Sequence, residues 1–277
     1  MANLATSVGD TALANPIMTA SGTAGHGAEL GAYIDLSSLG ALVVKSLSIM
    51  PWAGNAAPRV IPLPGSMMNS VGLQGPGVEG WIENDLPALV ESGAAVVASI
   101  WGRSIEEYRQ AAEAIAPVED RLTAVEINVS CPNLEDRRRM FSRSAESAAE
   151  VIEATAAITI PRWAKLSPNV ADIADIADGV FEAGANAVTL TNTLLGLDID
   201  AETGSPSLGG GGGGVSGPAV RAVAQRAVFD VAGNHPEIPV IGVGGIAAAE
   251  HVVQYLRAGA SAVQLSLIHI SEPTRPY

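Results

Sequence analysis

The 277-residue sequence predicts a (β/α)8 barrel, an α/β TIM-barrel architecture, on three observations. Short apolar runs rich in Val, Ile and Ala recur eight times. Amphipathic stretches separate most of them, with apolar residues three and four apart and acids on the opposite face. Polar residues collect just after the runs, at the C-terminal rim where barrels of this kind carry their function. Runs that are apolar throughout suit parallel strands covered on both faces. Eight such units in roughly 250 residues favour a closed barrel over an open doubly wound sheet.

Taken in order, "NPIMTASG" is strand one, followed by Ser21 and Gly22, and "GALVVKS" is strand two, ending on Lys45 and Ser46. Residues 51–77 are too long and too rich in Pro and Gly for a plain turn, so they predict an elaborated loop over the active end. "AAVVASIWG" is strand three, with the helix "SIEEYRQAAEAIA" behind it. "LTAVEINVS" is strand four; it carries Asn128, then Cys131 just beyond, and leads to the helix "SAESAAEVIEATAAI". "RWAKLS" sets Lys165 at the end of strand five before the helix "VADIADIADGVFEAG". "NAVTLTN" brings Asn192 and Thr193 to the end of strand six. Residues 195–217 break the repeat a second time and include the consecutive glycines Gly209 to Gly214, a composition that predicts a flexible surface loop for most of the segment. Its end, Ser216-Gly217-Pro218, reads as a helix start whose exposed N–H groups can receive a phosphate. "IPVIGVGG" is strand seven, ending on Gly244 and Gly245. The helix "AAAEHVVQYLRAG" and strand eight, "ASAVQLS", complete a single domain over residues 1–265.

Composition excludes several functions. Fifteen Lys and Arg against 29 Asp and Glu give a net charge of -14, which repels phosphodiester backbones, so nucleic acid is not expected as a partner. An anionic ligand then needs locally placed cations. The single cysteine rules out an internal disulfide and a thiolate zinc cluster, leaving Cys131 as an inert core residue or a reactive group. Four scattered histidines suggest no metal site. The N-terminus lacks a basic patch followed by an apolar run, and no stretch reaches the roughly 18 apolar residues of a membrane helix, so a cytoplasmic protein is expected.

"GVGGI" alone is a weak signal, since paired glycines also serve ordinary turns. After strand seven of a barrel it gains weight, because the loops there commonly bind phosphate through closely approaching backbone amides. Lys165 admits three readings: a lysine paired with a neighbouring acid, a Schiff-base nucleophile as in barrel aldolases, or a fixed cation that stabilises charge on a cofactor. Lys45 admits the same three, and two strand-end lysines favour anion handling. Asn69, Asn128, Asn133 and Asn192 would each alone be turn or capping residues. Together at one rim they offer donors and acceptors to a planar heterocycle such as a pyrimidine.

"NPIMTASG", "NSVGLQGPG", "EINVSCPN", "KLSPNVADI", "LTNTLLG", "SGPAV" and "IPVIGVGGI" stand in the order and spacing of the class 1 dihydroorotate dehydrogenases, and the sequence most resembles the class 1B catalytic subunit from about residue 8 to 265. The resemblance implies a flavoprotein that oxidises dihydroorotate to orotate in pyrimidine synthesis, with FMN above the C-terminal rim. It implies that Cys131 is the base taking the C5 proton. Lys45, Asn69, Gly72, Leu73, Asn128, Asn133, Asn192 and Thr193 match residues that hold orotate. Ser21, Gly22, Lys45, Ser46, Asn128, Lys165, Gly217, Gly244 and Gly245 match residues that line FMN, with Lys165 at the N1/O2 side of the ring. It further implies an electron-transfer partner with FAD and a 2Fe-2S cluster, in a heterotetramer built on a homodimer of this subunit. Its neighbours in kind are a fumarate-dependent class 1A enzyme and a dihydropyrimidine dehydrogenase-like barrel, against which Gln74, "NTLLG", Asn133 and the "NSVGL" loop speak.

Three departures stand out. Ser99 occupies a position near the flavin where class 1B enzymes usually carry asparagine. "LEDRRRMFS" replaces a glycine-rich segment and sets Arg137, Arg138 and Arg139 together, a solvated face able to draw in an anionic substrate. Residues 266–277, "SLIHISEPTRPY", have no helical period and no glycine, and read as a non-native tail. The eighth helix and one wall of the phosphate site are then expected to be missing, so that FMN is held weakly or the chain aggregates.

Overall fold

Parallel pairing carries the chain around a full circle. The computed structural model describes residues 4–130, 132–133 and 139–266; Cys131, Arg137, Arg138, the side chains of Asn133 and Arg139, and the tail beyond Ser266 lie outside the described residues. The barrel strands are β1 (Ile17–Thr19), β2 (Leu42–Val43), β3 (Val96–Ile100), β4 (Ala124–Asn128), β5 (Arg162–Leu166), β6 (Ala187–Leu190), β7 (Val240–Val243) and β8 (Ala262–Leu265). They lie side by side in the order β1-β8-β7-β6-β5-β4-β3-β2, every pair parallel. A parallel bridge between Met18 and Ala41 joins the two ends and closes the predicted barrel.

Strand side chains alternate with period two, and the alternation divides the core in two. Val125, Ile127 and Val129 point outward into an apolar layer shared with Trp81, Tyr108, Val151 and Val228 of the surrounding helices. Ala124 points inward with Met18, Val43, Val97, Trp163, Ile241 and Ala262. The hairpin Thr6–Val8/Thr11–Leu13 adds Val8 and Leu13 to this inner layer and plugs its lower end.

The helices are α1 (Gly77–Asn84), α2 (Leu86–Glu91), α3 (Ile105–Ile115), α4 (Ala145–Ala154), α5 (Ile173–Glu182), α6 (Arg221–Asn234) and α7 (Ala249–Arg257). Several start where a short polar side chain satisfies the first N–H groups. Ser104 accepts from Glu107 N at 3.3 Å, Ser144 from Ser147 N at 3.2 Å, and Asp172 from Ala174 N at 3.0 Å and Asp175 N at 3.3 Å. Asp172→Ala is expected to lower the unfolding free energy by about 1 kcal/mol, read as a lower denaturant midpoint at an unchanged slope. The first crossover has no α-helix: 3-10 turns at Glu29–Ala32 and Leu36–Ser38 span it.

The two interruptions of the repeat fold against each other. Leu194–Gly196, Gly213–Ser216, Ser66–Asn69 and Val60–Leu63 form one four-stranded antiparallel sheet over the C-terminal rim. The glycine tract is therefore not the flexible surface loop its composition predicts. A Cβ on Gly209, Gly210, Gly213 or Gly214 would strike Ala56 O, Ser70 Oγ, Asn69 O or Thr193 Oγ1 respectively. Close backbone approach, rather than flexibility, is what glycine provides here. No helix among the described residues is long and apolar enough to cross a membrane.

Candidate active site

Period-two alternation carries the inward face of each strand up to the rim, where its last inward residue meets the antiparallel sheet. Between them lies a cleft of about 260 Å³. Ser21 and Gly22 reach it after β1, Lys45 and Ser46 after β2, Asn128 from β4 and Lys165 from β5. Asn192 and Thr193 enter after β6, Gly217 before α6, and Gly244 and Gly245 after β7; Asn69 and Leu73 come down from the covering segment. Gly72 is not among the lining residues. Its φ is +73°, a Cβ there would stand 2.6 Å from Asn55, and it sets the turn for Leu73, which itself has φ 60°. A left-handed leucine is uncommon and strained, and such strain clusters at functional sites.

Hydrogen bonds tie the rim into one network. Ser46 Oγ lies 2.9 Å from Ser99 Oγ and 3.2 Å from Ser21 Oγ, and Asn128 Nδ2 donates to it at 3.4 Å. Ser99 thus joins the network through a hydroxyl where the resemblance expects an amide. Asn192 Nδ2 donates to Asn128 Oδ1 at 3.2 Å, and Asn192 Oδ1 accepts from Thr193 N at 2.8 Å. Two tyrosines fix the rim backbone from below. Tyr108 donates to Asn128 O and Tyr255 to Gly244 O, each at 2.6 Å. Burial raises the Tyr255 phenol well above its ordinary range, so it stays a donor.

The chain contains two lysines, Lys45 and Lys165, and both line this cleft. Burial holds the Lys45 ammonium below the ordinary lysine range. Lys165 is 6% exposed and its Nζ lies 3.5 Å from Glu126 Oε1, which is the paired reading of the three its sequence context allows. A salt-bridged ammonium lacks the free lone pair that a Schiff-base nucleophile requires.

Sequence reasoning missed Thr191 and Gln264, which also line the cleft, and Asn169, which holds the β6 loop by donating to Thr193 O at 3.0 Å and accepting from Leu195 N at 2.9 Å. A signal for Gln264 existed: in "AVQLS" it is a polar residue amid apolar ones, at an inward position by the two-residue count.

Fold and cleft together define a class, a (β/α)8 barrel with a cationic, amide-lined cleft at its C-terminal rim. The family model for dihydroorotate dehydrogenase matches residues 3–272. The chain is 40% identical over 273 residues to the dihydroorotate dehydrogenase B (NAD(+)) catalytic subunit of Geotalea uraniireducens, covering 98% of this chain and 89% of that one. It is 41% identical over 274 residues to the proteins of the same name from Geobacillus kaustophilus and Bacteroides thetaiotaomicron, covering 99% of this chain and 87% and 90% of theirs. The chain belongs to the dihydroorotate dehydrogenase family.

Proposed function

We propose that this protein is an FMN-dependent dihydroorotate dehydrogenase, the catalytic subunit of a class 1B enzyme, which oxidises (S)-dihydroorotate to orotate in cytoplasmic pyrimidine synthesis. The observation that carries this reading is the meeting of both lysines with the Asn128–Asn192 amide pair in a single cleft. Orotate is a planar anion edged by N–H and C=O groups, and such a ligand calls for fixed cations and amides that can each donate and accept.

The residues fit FMN as well. Gly217 and Gly245 approach so closely that a Cβ on Gly245 would stand 2.8 Å from Gly217 O, a glycine cradle of the kind that brings backbone amides to a phosphate. Gly22, beside Lys45, has φ +89°, a backbone conformation that favours glycine. When bound, FMN supplies the acceptor for the hydride leaving C6.

In this reading Ser21, Gly22, Ser46, Lys165, Gly217, Gly244 and Gly245 hold the cofactor, with Lys45 and Asn128 shared between cofactor and substrate. Asn69, Gly72, Leu73, Asn133, Asn192 and Thr193 complete the substrate site. Cys131 takes the C5 proton as its thiolate, so that loss of the C5 proton and the C6 hydride leaves the C5=C6 double bond of orotate. A partner subunit holding FAD and a 2Fe-2S cluster, in a heterotetramer, would carry the electrons on to NAD+. The words "catalytic subunit" and "NAD(+)" in the relatives' names support this partner.

Anaerobic dihydroorotate should bleach the flavin band of the FMN-loaded protein. A flavin that stays oxidised would mean a different substrate, and turnover with fumarate in place of the partner would mean a class 1A enzyme.

Lys45 adds a pH signature. Its ammonium is disfavoured by burial in the free site, and a bound carboxylate restores it, so binding takes up a proton. Orotate affinity is therefore full below the free-site pKa of Lys45 and falls as pH rises from that value to the higher pKa of the complex. Titration calorimetry in buffers of different ionisation enthalpy should show proton uptake there, and Lys45→Arg should abolish it.

A further inference from the structure

Glu126, the partner of Lys165, does not line the cleft but is fully buried inside the barrel, one inward position below Asn128 on β4. Its Oε2 accepts from Gln264 Nε2 at 2.6 Å and from Thr189 Oγ1 at 3.2 Å. Its Oε1 accepts no hydrogen bond among the described residues and faces Lys165 Nζ at 3.5 Å. Gln264 closes the ring by accepting from Lys165 Nζ through Oε1 at 3.2 Å. Four strands, β4, β5, β6 and β8, each give one member of this cluster, and beneath it lies the apolar inner layer. Barrel interiors are ordinarily filled by branched aliphatics at such positions. A carboxylate sunk there is costly unless it is paired and hydrogen-bonded, and replacing the pair by apolar residues is often no loss of stability. Stability is therefore a poor reason for Glu126 to be where it is.

We propose that Glu126 is a positioning residue that keeps Lys165 charged and aims its ammonium at the floor of the cleft, and thereby sets the reduction potential of the bound flavin. The inference rests on the reading of the cleft as a flavin site. The physics runs through Lys165. A buried lysine without a counter-charge tends to lose its proton, and a neutral amine cannot offset the negative charge that reduction brings to the ring above it. Among the described residues the other titratable group lining the cleft is Lys45, and a second cation there only strengthens the tendency. Thr189 and Gln264 hold the carboxylate, and among the described residues Gln264 alone touches both charges.

The test is the flavin midpoint potential of the FMN-loaded protein, measured on both sides of neutrality. Glu126→Gln keeps the shape and removes the charge. It is expected to shift the potential downward, most at alkaline pH. Lys165→Met should lower the potential by itself, and adding Glu126→Gln to it should change nothing further. Should Glu126→Gln not fold, Thr189→Val, which withdraws one donor from the carboxylate, is expected to give a smaller shift in the same direction. An unchanged or raised potential in Glu126→Gln, or a drop that persists in the Lys165→Met background, overturns the role of Glu126 and leaves the flavoenzyme reading standing. A protein that takes up no flavin even with a family-type eighth helix in place of residues 266–277 overturns both.

Discussion

Cys131→Ala is expected to slow flavin reduction by dihydroorotate about 10²- to 10⁴-fold at neutral pH, the usual contribution of a positioned general base. FMN content and orotate affinity should stay near those of the wild type, because the change removes one proton acceptor and no cation or amide. The loop that carries Cys131 leaves β4 from a firm foundation. Tyr108 holds Asn128 O, Asn128 Oδ1 accepts from Ser130 N at 3.2 Å, and Ser130 Oγ donates to Lys165 O at 3.3 Å. The chain is thus tied on two sides up to the residue before the thiol. Cys131→Ser should fall between the wild type and alanine and recover with rising pH, because a hydroxyl is a far weaker base than a thiolate at pH 7. Stopped-flow reduction of the loaded protein measures all three. An alanine variant that reduces its flavin at the wild-type rate would move the base to another residue.

Gly245→Val should weaken FMN binding at least tenfold. Gly245 has φ +64°, and a Cβ there would stand 2.7 Å from Arg221 Cβ and 2.8 Å from Gly217 O. A side chain at such a backbone position carries about 1–3 kcal/mol of strain, and about 1.4 kcal/mol is a factor of ten in affinity. Either the glycine turn shifts or the start of α6 moves away, and both break up the cradle that would hold the phosphate. Quenching of flavin fluorescence during titration gives the affinity. Gly233→Ala is the matched control: it lies in α6, a Cβ there meets nothing within 4 Å, and FMN binding should be unaffected. Equal affinities for all three proteins would place the phosphate elsewhere.

The barrel was legible because each of its signals is local. An apolar run, a helical period and a polar residue at the end of each run need no knowledge of the partner strand, and the rim residues from Ser21 to Gly245 follow from them. What could not be read depends on distant partners. Gly209–Gly214 has the composition of a linker, and only the approach of Ala56, Ser70, Asn69 and Thr193 explains why side chains are excluded at Gly209, Gly210, Gly213 and Gly214. Thr6–Val8 and Thr11–Leu13 are too short for any period to emerge. Glu126 looks like one polar residue in an apolar strand until β5, β6 and β8 bring Lys165, Thr189 and Gln264 around it.

Both lysines lie in one cleft, and every other basic side chain except histidine is arginine. Reagents that acylate amines leave guanidinium groups alone, so apart from the α-amine such a reagent can modify this protein only at its own mouth. Amine labelling then becomes a meter of site occupancy, with protection by orotate read directly as a missing mass increment. Coupling the protein to a surface through a lysine amine should silence it. Enzymatic lysine acetylation, which removes the positive charge, could fall on no harmless position in this chain.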